Sequence, residues 1–360
     1  MCILFLARLF HGASQGRHGS RCENLYDEED NAVKITFFGT KPYDRIWFEP
    51  LGKEYGVDIH FVESRLNWET AILAKGCEGV CIFVNDTADK KAIDALCELG
   101  VKVIFLRCAG FNNVDLKAAR GRLHVLRVPS YSPDAVAEYA VGLLLSVNRY
   151  IHRAYVRTRE FNMNIHGLMG TDLNHKVAGV IGTGKIGQSM IRILKGLEMR
   201  ILAYDPYPDK KLEVEYVSLK ELFSKADVIT LHCPLTKDTQ YIIGEDALKS
   251  MKKNVYIINT SRGALIDTKA LLEALKEPGR IGGVGLDVYE EEDGIFYEDR
   301  SNDIMEDDTL ARLMTFPNVL VTSHQGYFTS EAMQAIAIVT LENAYQYMNH
   351  MELMNEVTCD

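Results

Sequence analysis

The sequence predicts an α/β protein of two parallel-sheet domains. Short apolar runs alternate with amphipathic helical stretches through most of the chain, as strands and crossover helices do in parallel sheets. Six of those runs, all in the second half, end in residues suited to holding a nucleotide or moving a proton. A glycine-rich turn comes at the first of these endings, at residue 182, so a whole domain's length of chain precedes it.

Residues 1–32 fall outside that pattern. Met1–Phe10 is apolar, but no basic region precedes it and Arg8 interrupts it, so it makes a poor export signal. A Gly/Ser/Arg/His stretch and the acidic run Asp27–Asp30 follow. A poorly ordered extension is expected there. Ordered structure is expected from Val33, with strands at Val33–Phe38, Val80–Val84, Val101–Leu106 and His124–Val128 and a helix over Asp89–Leu99. The segment Pro129-Ser130-Tyr131-Ser132-Pro133 marks a boundary. Ser132 suits an N-cap, Pro133 the first helical position and Asp134 the positive end of the dipole. The helix Pro133–Tyr150 then lines up Val136, Tyr139, Ala140, Leu143, Leu144 and Val147 on one face, which suits either core or a subunit interface. A polar stretch, Arg153–Lys176, leads to the second domain.

The six strands there are Val177–Ile181, Arg200–Tyr204, Val228–Leu231, Val255–Asn259, Val284–Leu286 and Val319–Thr322. A last helix, Ser330–Met348, is expected to return to the first domain, so that the chain crosses twice and leaves a cleft between domains.

Composition narrows the function classes. With 360 residues, 47% hydrophobic and 25% charged, the chain is an ordinary globular protein with room for two domains. A net charge of −10 and the lack of any Lys/Arg block argue against nucleic acid as a partner. No run nears the roughly 18 apolar residues of a membrane span. The eight cysteines show no zinc spacing, and no metal site is expected. Several sit in apolar runs, favouring a reducing, cytoplasmic setting in which the sequons at Asn85 and Asn259 carry no meaning.

Chemistry gathers at the strand ends, because an open parallel sheet binds ligands beyond the carboxyl ends of its strands. Gly182-Thr183-Gly184-Lys185-Ile186-Gly187 follows a strand and opens a helix, the context that a phosphate-binding fingerprint requires. Gly182 allows the tight turn, Gly184 the close approach of a pyrophosphate, and Gly187 the packing of helix on strand. Asp205 ends the next strand and can accept both ribose hydroxyls, while its charge repels a 2′-phosphate. NAD is the expected cofactor. Arg262, after the fourth strand in Asn259-Thr260-Ser261-Arg262-Gly263, can grip a carboxylate with two parallel bonds and polarise a neighbouring carbonyl. His324, after the sixth, is placed to be a general acid. A carboxylate from Asp287–Asp293 would orient its ring, and spacing does not choose among the candidates. His232, which with Pro234 ends the third strand, is a lesser rival expected nearer the adenine side.

Together these residues resemble the D-isomer-specific 2-hydroxyacid dehydrogenases. The resemblance spans Val33–Val357. It is carried by Gly76–Asp86, Arg107–Leu116 (RCAGFNNVDL), Ile181–Gly187, His232–Thr236, Asn259–Asp267 and Gly285–Glu290, and looks nearest the fermentative, D-lactate-forming members. It implies that His324 is the acid/base, Glu292 its carboxylate partner and Arg262 the substrate anchor. Backbone amides near Ala109 and Gly110 would help hold the substrate carboxylate, with Tyr131 lining the pocket. Tyr327 departs from the Phe of some relatives and bears on how bulky a side chain is accepted. The remaining cofactor contacts would come from His232, Pro234, Thr260, Arg262 and Asp287.

The expected fold is thus a Rossmann NAD-binding domain, 132–326, inserted into a flavodoxin-like substrate domain, 33–131 and 327–360. The expected reaction is NADH-dependent reduction of pyruvate to D-lactate. A bulkier D-2-hydroxyacid or an NADH-responsive binding protein of the corepressor type are the rivals. The resemblance also implies a homodimer or homotetramer, paired through the nucleotide domain.

Overall fold

The computed structural model describes residues 33–359; the expected extension over 1–32 lies outside the described residues. Two parallel sheets organise the chain. The first holds β1 (Val33–Phe37), β2 (Val57–Phe61), β3 (Gly79–Ile82), β4 (Val103–Leu106) and β5 (His124–Arg127), in the order β2-β1-β3-β4-β5. This is the flavodoxin-like order. The second holds β6 (Val177–Ile181), β7 (Arg200–Tyr204), β8 (Glu215–Tyr216), β9 (Val228–Leu231), β10 (Val255–Asn259), β11 (Ile281–Leu286) and β12 (Val319–Val321). Its order, β12-β11-β10-β9-β6-β7-β8, is the dinucleotide-binding order with one strand added at the far edge.

Helices cover both faces of each sheet. Around the first lie α1 (Pro42–Tyr55), α2 (Lys90–Glu98) and α3 (Leu116–Ala119). After α4 (Pro133–Asn148) and α5 (Ile151–Arg159), the second carries α6 (Lys185–Gly196), α7 (Leu219–Lys225), α8 (Glu245–Ser250), α9 (Thr268–Lys276) and α10 (Asp308–Met314). The last helix, α11 (Ser330–Met348), packs against α1, β4 and β5 of the first sheet. Met333, Ile336 and Leu341 of α11 join the core of Val33, Ile35, Phe37 and Phe105 there. Burying such side chains contributes roughly 1.5–3 kcal/mol each.

The start of α4 is as expected: Ser132 Oγ accepts from Ala135 N at 3.2 Å, a cap that stabilises the helix by about 1 kcal/mol. The apolar face of α4 is core. Ala140, Leu144 and Val147 are buried with Val180 and Ile258 of the second sheet. Two expectations need correction. The stretch expected as polar, Arg153–Lys176, includes most of α5, none of whose residues is buried. Strand β11 begins three residues before the expected Val284, since Gly282 and Gly283 are strand residues whose missing side chains admit Tyr256. Strand β2 and helix α1 had no sequence expectation. Asp58 and His60 of β2 are exposed at the sheet edge, which breaks its apolar run.

Candidate active site

The carboxyl ends of both sheets meet at one cavity of about 490 Å³. From the first sheet come Phe83 after β3, Cys108, Ala109 and Gly110 after β4, and Tyr131 after β5. From the second come His232 and Pro234 after β9, Thr260 and Arg262 after β10, Asp287 after β11, and His324 and Tyr327 after β12; Ile186 comes from α6. The strand-end rule thus brings Arg262, His324, Tyr131, Tyr327, Ala109 and Gly110 together, although they span more than two hundred positions of sequence.

His324 is held by its neighbours. Its Nδ1 meets Glu292 Oε1 at 2.8 Å, and Glu292 Oε2 in turn accepts from Tyr289 N at 3.0 Å. Glu292 is therefore the carboxylate partner among the candidates of the acidic run. That bond occupies Nδ1 and leaves Nε2 for the cavity. Asp287 is buried, and its oxygens accept from Thr322 Oγ1 (2.6 Å), Gln325 N (3.0 Å) and Gly326 N (2.7 Å). Although Asp287 borders the cavity, these bonds make it the organiser of the loop that carries His324. Burial pushes its carboxyl up, against the pull of those donors.

Arg262 is half-buried. Its Nη1 donates to Ser261 O at 2.7 Å, and it has no carboxylate within ion-pair distance among the described residues. Gly110 faces it closely: a Cβ there would stand 2.7 Å from Arg262 Nη2. Around the pair lies an aromatic wall. Tyr327 packs edge-on against Tyr131 at 6.1 Å and lies 5.9 Å from Phe83. Burial pushes the Tyr131 hydroxyl up to about 12 and Tyr327 further, so both are neutral donors at ordinary pH. The Cys108 thiol, pushed up to about 12, is no nucleophile.

The glycine fingerprint lies beside this cavity, in contact with its wall. Gly182 has φ 93°, and a Cβ there would stand 2.6 Å from the main chain of His232; one on Gly187 would stand 2.0 Å from Gly182 O. Nothing occupies the space where a Cβ of Gly184 would be, which leaves room for a phosphate group before α6. Lys185 is exposed on the first turn of that helix. Asp205 Oδ2 accepts from Thr183 N at 2.7 Å and Thr183 Oγ1 at 3.0 Å, which aims the carboxylate across the turn. Thr260 Oγ1 is buried without a partner at the cavity wall, a donor left for a ligand. These features fit a dinucleotide. His232 differs from His324: its Nε2 lies 2.8 Å from Thr230 Oγ1, and burial pushes its pKa down to about 4. A ring neutral at working pH is a poor proton donor.

Sequence reading missed Phe83 and Cys108. The rule applied to the second-half strands would have found both at the carboxyl ends of β3 and β4. It also missed Tyr297, whose ring packs on Phe83 and for which the sequence holds no signal.

The site is that of a nucleotide-dependent oxidoreductase, and similarity to known proteins makes it specific. Residues 141–326 match the model of the D-isomer-specific 2-hydroxyacid dehydrogenase, NAD-binding domain. The chain is 51% identical to D-lactate dehydrogenase of Escherichia coli (strain K12) over 315 residues, 86% of this chain and 95% of that protein. It superposes on the pyruvate reductase of Chlamydomonas reinhardtii with a TM-score of 0.86 and 41% identity, over 91% of this chain and 100% of that one. For the apo structure of D-lactate dehydrogenase from E. coli the values are 0.83, 47%, 91% and 100%. The chain belongs to the D-isomer-specific 2-hydroxyacid dehydrogenases, and its cofactor is NAD.

Proposed function

We propose that the chain is a D-lactate dehydrogenase that reduces pyruvate: pyruvate, NADH and a proton give D-lactate and NAD⁺. The observation that carries this reading is a guanidinium without a carboxylate partner among the described residues, Arg262, and a carboxylate-held imidazole, His324, on one aromatic-walled cavity. Arg262 binds the substrate carboxylate as a fork and polarises the adjacent carbonyl. NADH held there would supply the hydride for the carbonyl carbon. His324 Nε2 gives its proton to the carbonyl oxygen, and Glu292 Oε1 holds the ring through Nδ1. Backbone amides near Ala109 and Gly110 help hold the substrate carboxylate beside Arg262, while Tyr131 and Tyr327 with Phe83 wall the pocket around its side chain. Gly182–Gly187, Asp205 and Thr260 hold the dinucleotide, with His232, Pro234 and Asp287 along its wall. Fixed position and exclusion of water supply much of the acceleration.

The domain division follows as part of this reading: 33–131 with 327–360 for substrate, 132–326 for cofactor. We also propose that the protein works in the cytoplasm as a homodimer or homotetramer. No helix among the described residues is long and apolar enough to cross a membrane. Several of the exposed apolar residues among those described fall together on α5 and the loop after it, Tyr155, Phe161, Ile165 and Met169 among them. Light scattering on the purified protein tests the oligomer, and a monomer would overturn it.

The test of the activity is loss of NADH absorbance with pyruvate, then chiral analysis of the product. Turnover giving D-lactate, faster than with phenylpyruvate, is expected. Faster turnover of phenylpyruvate would move the substrate to a bulkier 2-ketoacid, and no turnover of any 2-ketoacid would overturn the reading.

A further inference from the structure

Two non-glycine residues beside the catalytic cleft have left-handed backbones, His324 at φ 53° and Tyr297 at φ 66°, and they are bonded to one another. The Tyr297 hydroxyl donates to the main-chain carbonyl of His324 at 2.9 Å, with the two rings 6.1 Å apart. A bulky side chain in that backbone region persists only where the surroundings impose it. Three contacts do so at His324. Its N–H donates to Asp287 O at 2.7 Å, its Nδ1 meets Glu292, and its carbonyl takes the Tyr297 hydroxyl.

The third contact leads directly to the first sheet. Tyr297 packs edge-on against Phe83, at 5.5 Å and 72°, where β3 ends. Its neighbour Glu298 accepts from Arg65 Nη2 at 2.6 Å, just beyond β2, and the same guanidinium reaches Phe296 O at 3.4 Å. Tyr297 does not line the cavity itself. Burial, with the neighbouring Tyr327 and Glu292, pushes its hydroxyl well above the ordinary tyrosine value, so it donates throughout the range in which the enzyme works.

We propose that Tyr297 is a positioning residue: it pins the left-handed main chain of His324 and ties that placement to the seating of the 292–298 segment against the first sheet. This rests on the reading of His324 as proton donor. Phenylalanine would keep the ring on Phe83 and remove only the bond to the carbonyl.

Tyr297→Phe tests it. The expected result is a kcat for pyruvate lower by about tenfold, with KM unchanged within about twofold because Arg262 is untouched. In a His324→Gln background the same substitution should cost nothing further, since the group it positions is gone. Arg65→Gln, which leaves Tyr297 in place but loosens its segment, should lower kcat by a smaller factor, again only when His324 is present; it serves if Tyr297→Phe impairs folding. Equal losses in both backgrounds, a raised KM at unchanged kcat, or no loss at all would overturn the proposal. Wild-type turnover by His324→Gln alone would remove the proton-donor reading and this inference with it. A His324-dependent enzyme indifferent to Tyr297→Phe would remove only the role of Tyr297.

Discussion

Two arginines, one behind the cavity and one in it, are treated in opposite ways. Arg107 is buried at the end of β4, with Nε 3.9 Å from Asp44, Nη2 3.3 Å from Gly39 O, and its guanidinium 4.4 and 5.0 Å from the ring centres of Phe37 and Phe83. Asp86 completes its surroundings, with oxygens that accept from Leu66 N and Phe83 N, each at 2.6 Å. Burial works against the charge on Arg107, and the carboxylates of Asp44 and Asp86 sustain it. Arg262 has only the neighbouring carbonyl of Ser261 and a bare glycine across from it. Among the described residues the chain supplies a countercharge for Arg107 and none for Arg262, as the proposed role of Arg262 in holding a substrate carboxylate requires. Partners, more than residue type, separate a structural cation from a binding one.

Arg107→Met is the harshest test of that contrast. It leaves Asp44 and Asp86 buried without their cation, and losing one partner of such a group costs about 3–5 kcal/mol. Urea denaturation should show that loss, while any folded fraction keeps its KM for pyruvate. Unchanged stability would make Arg107 as dispensable to the fold as Arg262. The complementary change, Arg262→Lys, should leave the urea midpoint unmoved and lower kcat/KM by about 100- to 1,000-fold, or about 3–4 kcal/mol. Lysine keeps a point charge and loses the two-pronged geometry. Activity near wild type would mean that charge alone suffices.

Gly110→Ala sharpens the same comparison with a smaller effect. The new methyl would meet Arg262 Nη2 at 2.7 Å, and the guanidinium, being the free end of a flexible side chain, would move aside. A misplacement of this size should lower kcat/KM by about tenfold at wild-type stability. If binding of pyruvate and oxamate is unaffected, Gly110 is not what aims the arginine.

The catalytic half of this arrangement was more legible in sequence than the structural half, for a physical reason. Buried parallel strands read as unbroken apolar runs, so β6, β7, β9 and β10 could be delimited to the residue, and the strand-end rule led from β10 to Arg262 and from β12 to His324. Arg107 also follows an apolar strand, but its partners Asp44 and Asp86 lie in unrelated segments, one in the first turn of an unforeseen helix. Nothing in a linear pattern joins three such residues. Glu292 was reached through resemblance rather than spacing, because Asp287–Asp293 offers five chemically similar carboxylates. Tyr297 was out of reach altogether, since its part depends on two left-handed residues facing one another. Edge strand β2 and the unburied helix α5 were hidden by exposed polar side chains that broke the apolar pattern.

The two histidines extend the comparison to proton binding and give the mildest prediction. His232, held by Thr230 of its own strand, has its pKa pushed down to about 4 by burial, against 6.5 for a free histidine. The unfolded chain therefore binds more protons between those values, and folding stability attributable to His232 is complete above pH 6.5 and drains away as pH falls toward 4, by at most about 1.4 kcal/mol per pH unit. Asp44, Asp86 and Asp287 have raised values in the folded chain, so they act with the opposite sign and gain stability as pH falls through the acid range. His152, pushed down by burial, acts with His232. The whole-protein curve mixes these contributions, so the informative quantity is a difference: urea midpoints of wild type and His232→Asn at pH 7, 6 and 5. The gap should change steadily in favour of the variant as pH falls, because asparagine has no proton to refuse. A constant gap would mean that His232 titrates as freely as an exposed histidine and that its surroundings, the contact to Thr230 included, leave its proton binding unchanged.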